Sequence, residues 1–139
     1  MRKLFLLFVI SIVIFSCTSK KNGVVTPTQN INRVWMLVEF KEYKKEYFIE
    51  KKAFLDLTNS ERATSKMGCN NLSFTYKTKK SEISFTNGIS TEVACLDMKL
   101  ESDFSKEIIK MNSFYINAHK LTLTSASGEK MIFVAQDWD

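Results

Sequence analysis

Short apolar runs with a period of two, interrupted once by a run with a period near four, constrain most tightly what this chain can fold into. Val34 to Phe40 is the first, with Trp35 and Leu37 on one face and Met36, Val38 and Phe40 on the other. Being apolar on both faces, it reads as a central strand. Lys52 to Thr58 alternates around Ala53, Leu55 and Leu57, and Asn59-Ser60 supplies a turn before a strand over Arg62 to Lys66. Leu72, Phe74 and Tyr76 alternate with Ser73, Thr75 and Lys77, the pattern of a half-buried strand. Glu82 to Thr86 carries Ile83 and Phe85 inward, and Asn87-Gly88 reads as its end.

Between Asp97 and Asn112 the period changes. Leu100, Phe104, Ile108 and Met111 recur at spacings of four, four and three, which predicts one main helix over about 97–112. Asp97 is placed to cap it, Glu101 and Asp103 sit in its early turns, and Lys106 and Lys110 in its last. All have the sign that the helix dipole favours, and the three acids read as surface groups rather than as a catalytic or calcium-binding set. Strands follow at Ser113 to Ile116, Lys120 to Thr124 and Met131 to Ala135, the last two joined by the Ser125-Ala126-Ser127-Gly128 turn. Strands before and after a single helix predict an α+β domain, a curved and largely antiparallel sheet covering that helix.

The amino terminus bears on location. Arg2 and Lys3 precede thirteen residues, Leu4 to Ser16, that are apolar apart from Ser11 and Ser16, and Cys17 follows. This reads as a secretory signal peptide over residues 1–16, too short for the ~20 apolar residues of a bilayer-spanning helix. Ile14-Phe15-Ser16-Cys17 resembles a bacterial lipobox, which implies cleavage before Cys17 and acylation of its sulfur. At about 0.8 kcal/mol per buried methylene, several acyl chains hold a small domain at a membrane surface almost permanently. With Thr18 rather than an acidic residue after the cysteine, the sorting rule implied by that resemblance points to the outer membrane. The polar residues 17–32, with the only proline, Pro27, read as a flexible tether, and 33–139 as one domain.

Removal of residues 1–16 takes the net charge from +5 to +3, well short of a nucleic-acid footprint. No phosphate loop, dinucleotide fingerprint or Gly-x-Ser-x-Gly elbow occurs, and the chain has four glycines. The single histidine, His119, excludes a zinc site built on several imidazoles and reads as a solvated turn residue. No cofactor, metal or nucleic acid is therefore expected.

Met67-Gly68-Cys69-Asn70-Asn71 lies ahead of an aromatic-bearing strand, and Thr91-Glu92-Val93-Ala94-Cys95 leads into the helix. With Trp35-x-Leu37, Glu101-x-x-Phe104, Tyr115, Leu121-x-Leu123, Gly128 and Phe133 in order, the chain from about Arg33 to Val134 resembles the META domain of HslJ-like envelope proteins. The resemblance implies a compact, barrel-like α+β domain without catalytic residues, in a family of which some members are linked to heat or antibiotic stress and motility. Its two characteristic cysteines, suspected of pairing, map onto Cys69 and Cys95. Cysteine counting leads to the same pair, because acylation of Cys17 leaves two thiols in an oxidising compartment. Such a loop closure contributes about 3 kcal/mol in the chain-entropy model. Gly68 is expected to let the backbone turn there, with Asn70 satisfying the turn through local hydrogen bonds.

Three functions are distinguishable at this stage. The leading expectation is a non-enzymatic, lipid-anchored envelope protein that binds another envelope protein and supports stress tolerance. The second is a binder of small hydrophobic ligands on the concave side of the sheet. The third is a thiol enzyme with Cys69 as nucleophile, His119 as base and Asn70 or Asn71 as orienter. Trp138, and Tyr43 with Tyr47 in a charged loop, are exposed candidates for a binding surface.

Overall fold

The first strand, β1 (Val34–Phe40), buries Trp35, Leu37 and Phe40 on one side. Strict alternation would place Phe40 with Met36 and Val38, as the sequence suggested. A bulge between Leu37 and Glu39 inserts one residue and returns Phe40 to the inner face. A computed structural model of the protein describes residues 30–138; the expected signal peptide, Cys17 and the expected tether up to residue 29 lie outside the described residues.

After β1 come α1 (Lys45–Lys51), β2 (Phe54–Asp56), β3 (Arg62–Lys66), β4 (Asn71–Lys79) and β5 (Glu82–Ser90). Then follow α2 (Lys99–Ile108), β6 (Met111–Asn117), β7 (Lys120–Ser125) and β8 (Lys130–Ala135). The eight strands pair in sequence order, each antiparallel to the next, and β8 pairs back onto β1 to close a barrel. The expected α+β domain with one main helix is thus corrected in emphasis: the sheet is barrel-like, antiparallel and closed, the fold is mostly β, and two short helices accompany it.

Three local differences from the sequence reading have physical causes. Where a charged loop was expected around Tyr43 and Tyr47, the chain forms α1, which buries only Phe48. One apolar anchor in seven residues leaves almost no periodic signal. The strand expected over Lys52 to Thr58 shrinks to three residues because α1 ends at Lys51 and Lys52 turns the chain in the left-handed conformation. Finally, β5 continues to Ser90 instead of ending at Asn87-Gly88. Those two residues oppose Phe74 in a bulge, and a Cβ at Gly88 would lie 2.7 Å from Phe74 Cε1. The glycine there serves close approach to a ring, not a turn.

The β5–β6 seam is the thinnest, with one register pair, Glu82↔Ser113, among the described residues. Beside it α2 buries Leu100, Phe104 and Ile108, and Phe104 meets Phe74 edge-on at 6.4 Å. The helix is shorter than the expected 97–112, and Met111, counted in its apolar stripe, is the buried first residue of β6. Within the barrel Trp35, Phe40, Leu55, Leu57, Tyr76 and Phe133 are fully buried. Ile31, at the end of the segment read as tether, is buried too, and its carbonyl accepts the Trp35 indole N–H at 2.8 Å.

Candidate functional site

Both helices, the β3–β4 turn and the loop Thr91–Met98 gather at one end of the barrel. The turn begins at Gly68, whose φ of 126° favours glycine. Cys69 follows and is bonded to Cys95, with Cα atoms 6.3 Å apart, so the pair read from the sequence is joined. The disulfide staples the turn to a loop that has neither helix nor strand.

Asn70, next to Cys69, is the centre of that staple. Its side-chain oxygen accepts the Val93 N–H and the Thr91 hydroxyl, each at 2.8 Å. Its amide donates to the Val93 carbonyl at 3.2 Å and to Glu101 Oε1 at 2.9 Å, while its backbone N–H reaches Glu101 Oε2 at 2.7 Å. The expected local turn bonds are thus replaced by long-range ones. Both Asn70 and Glu101 are buried, which corrects the reading of Glu101 as a surface group. A buried carboxylate is tolerated when donors meet it, and two donors from one residue do so here. The sequence signal was present in Glu101-x-x-Phe104, which puts the acid one position from the apolar stripe.

A second set of contacts joins α1 to the loop and to α2. The Tyr43 and Tyr47 rings stack with centroids 5.6 Å apart. Tyr47 donates to Asp97, a bond that pushes its phenol up to about 12. The same bond, helped by Lys51 and the Lys99 N–H, holds the Asp97 carboxyl down at about 2. Lys51 Nζ is 3.1 Å from Asp97. Tyr43 donates to Asp103 at 2.6 Å and accepts from Lys99 at 3.0 Å. Burial, then the bond to Asp103, pushes the Tyr43 phenol up, and that bond lowers Asp103. Asp97 does not cap α2: Met98 takes that position, and Asp97 accepts the Lys99 N–H at 3.3 Å. Near neutrality these pairs hold protonated phenols against ionised carboxylates. They lock geometry and supply neither a free base nor an activated nucleophile.

The surface of this end is mixed. An open cleft of about 800 Å³ is walled by Lys41, Tyr43, Lys99, Asp103 and Glu107. Beside it the stapled loop presents Leu96, fully exposed, with Val93 and Met98. His119 lies at the opposite end, after β6, where its ring stacks on Trp138 at 4.7 Å. The structure therefore does not bring His119 to Cys69, whose sulfur is in the disulfide. Inward side chains form the hydrophobic core on the concave side of the sheet. Among the described residues no group of three His, Cys, Asp or Glu is arranged to hold a metal ion.

The model of the META domain family matches residues 28–138. No curated protein matches the chain. Among solved structures it is similar to a protein from Burkholderia xenovorans at 18% identity and a TM-score of 0.65, covering 77% of this chain and 83% of that one. It is similar as well to a DUF4847 family protein from Bacteroides vulgatus at 10% identity and a TM-score of 0.57, covering 78% and 95%. At these identities the likeness shows a shared fold.

Proposed function

Since the chain belongs to the META domain family, we propose that it is a non-enzymatic envelope protein, held at the outer membrane through acylated Cys17, that supports stress tolerance by binding another envelope protein. The observation that carries this reading is the loop Thr91–Met98. Leu96 is fully exposed on a segment that a disulfide and the Asn70 side chain fasten to the β3–β4 turn. Exposed apolar anchors contribute most to association when they are ordered before contact, because less entropy is lost on binding.

A photo-crosslinking amino acid at Leu96 in living cells tests it, with Lys120 at the far end as the control. A discrete protein adduct from position 96 and none from 120, together with stress sensitivity of the deletion strain, is the expected result. No adduct at 96 and unchanged tolerance would reject it. Mass spectrometry of protein extracted from membranes checks the anchor, with an acylated amino-terminal Cys17 expected.

A further inference from the structure

In this closed, single-layer barrel the outer face of β1 is apolar, and among the described residues no second sheet packs on it. Val34 and Met36 of β1 and Phe54 of β2 alternate with the buried Trp35, Leu37 and Leu55 and so face outward, half-buried. They floor a groove of about 740 Å³ along the outside of the barrel. One end of it is cationic. Lys51 and Lys52 come from the end of α1, and Lys66 from the end of β3, in register with Phe54.

Backbone geometry places these lysines. Lys52 adopts φ 50°, uncommon for a residue with a Cβ, and turns the chain from α1 into β2. Gly68 leaves room for the Lys51 stem, since a Cβ there would approach Lys51 Cδ to 2.9 Å. Lys51 is neutralised by Asp97. Lys52 and Lys66 have no ion-pair partner among the described residues. Of the two acids on the groove wall, Asp56 lies beside Val34 at the far end, where it accepts the Thr58 N–H and hydroxyl. Besides Asp97, which is taken up by Lys51, Glu50 is the acid of the groove wall nearest the lysines. The groove therefore has an apolar floor of Val34, Met36 and Phe54 between a polar end at Asp56 and Gln136 and a net positive end at the lysines.

We propose that this groove binds a single-chain fatty carboxylate, its acyl chain along Val34, Met36 and Phe54 and its head at Lys52 and Lys66. An apolar floor alone suits any hydrocarbon; two unpaired ammonium groups at one end of it favour an anionic head. The site lies on the outside of the barrel, its cationic end next to the stapled loop through the Lys51–Asp97 pair, and its ligand contacts are Val34, Met36, Phe54, Lys52 and Lys66 and not Leu96.

The test uses the full-length protein in phosphatidylcholine nanodiscs, irradiated with a diazirine-bearing palmitate and mapped by peptide mass spectrometry. Label is expected on the peptides carrying Val34, Met36 and Phe54, falling about tenfold for the Lys52→Glu, Lys66→Glu double variant and for the probe's methyl ester. Met36→Glu faces outward and is expected to suppress the label by itself, with thermal melting confirming that each variant is folded. Label spread evenly over the surface, or indifferent to charge reversal or to the ester, would overturn the proposal. Labelling of the groove by a diazirine phosphatidylglycerol and not by the free acid would overturn the assignment to a free carboxylate.

Discussion

The two ends of the barrel are closed by different physics. At the helix-bearing end a disulfide, a buried asparagine and a buried carboxylate tie three segments distant in sequence. At the other end tight turns carry the chain between strands, with Lys80 and Ala118 at positive φ, the buried Trp35 indole bonds the Ile31 carbonyl, and the C-terminal segment is held by contacts at least partly open to solvent. Those contacts are the Arg33 pair with Asp137 and the stack of His119 on Trp138. Buried, satisfied polar groups are costly to break because the survivor keeps its desolvation penalty, whereas an exposed pair that is lost is replaced by water. The loop that offers Leu96 to solvent sits at the end with the stronger ties.

Asn70→Ala puts that contrast under the greatest strain. It leaves Glu101 buried without its side-chain donor and frees Val93, and a loss of about 3–5 kcal/mol is expected in urea unfolding. A loss below about 1 kcal/mol would mean that the hub contributes no more than a surface contact. Next in size is the Cys69→Ser, Cys95→Ser pair, expected to cost about 3 kcal/mol in the chain-entropy model. Hydrogen exchange is expected to quicken over residues 91–98 and to stay unchanged around the β6–β7 turn. Equal quickening at both ends would remove the distinction between them.

At the opposite end Arg33→Ala and Trp138→Ala are each expected to cost less than about 1 kcal/mol in the same assay. The smallest effect is a titration. The folded carboxyl of Asp97 lies at about 2, below the ordinary carboxylate value. Its contribution is complete above that ordinary value, about 3.9, and is lost as pH falls from there through the folded value. Carboxyl NMR of Tyr47→Phe is expected to show Asp97 titrating nearer the ordinary value. An unshifted Asp97 would assign its low value to Lys51 instead of to the phenol.

Much of the barrel was legible. Leu72, Phe74 and Tyr76, then Ile83 and Phe85, face inward as their alternation requires, and Leu100, Phe104 and Ile108 line the buried side of α2. What escaped were departures of a single residue. The bulge in β1 moves Phe40 to the inner face, and the bulge at Asn87-Gly88 extends a strand through a dipeptide that elsewhere signals a turn. A slip of one position reverses every side chain beyond it, and no periodicity announces the slip in advance. The burial of Glu101 was hidden for another reason: its partner is 31 residues away, and a carboxylate in an early helical turn satisfies the dipole equally well in solvent.

Local chemistry sufficed for most inward strand faces and for the longer helix, because alternation and helical period act over a few residues, while the pairing of Cys69 with Cys95 came from the family resemblance and from counting cysteines. Closure of the barrel, the conversion of Asn70 and Glu101 into a buried hub, and the exposure of an apolar outer face on β1 were decided only when distant segments met. Whether a polar group is satisfied, or an apolar one covered, depends on what lies across the space from it, and that is a property of the assembled fold.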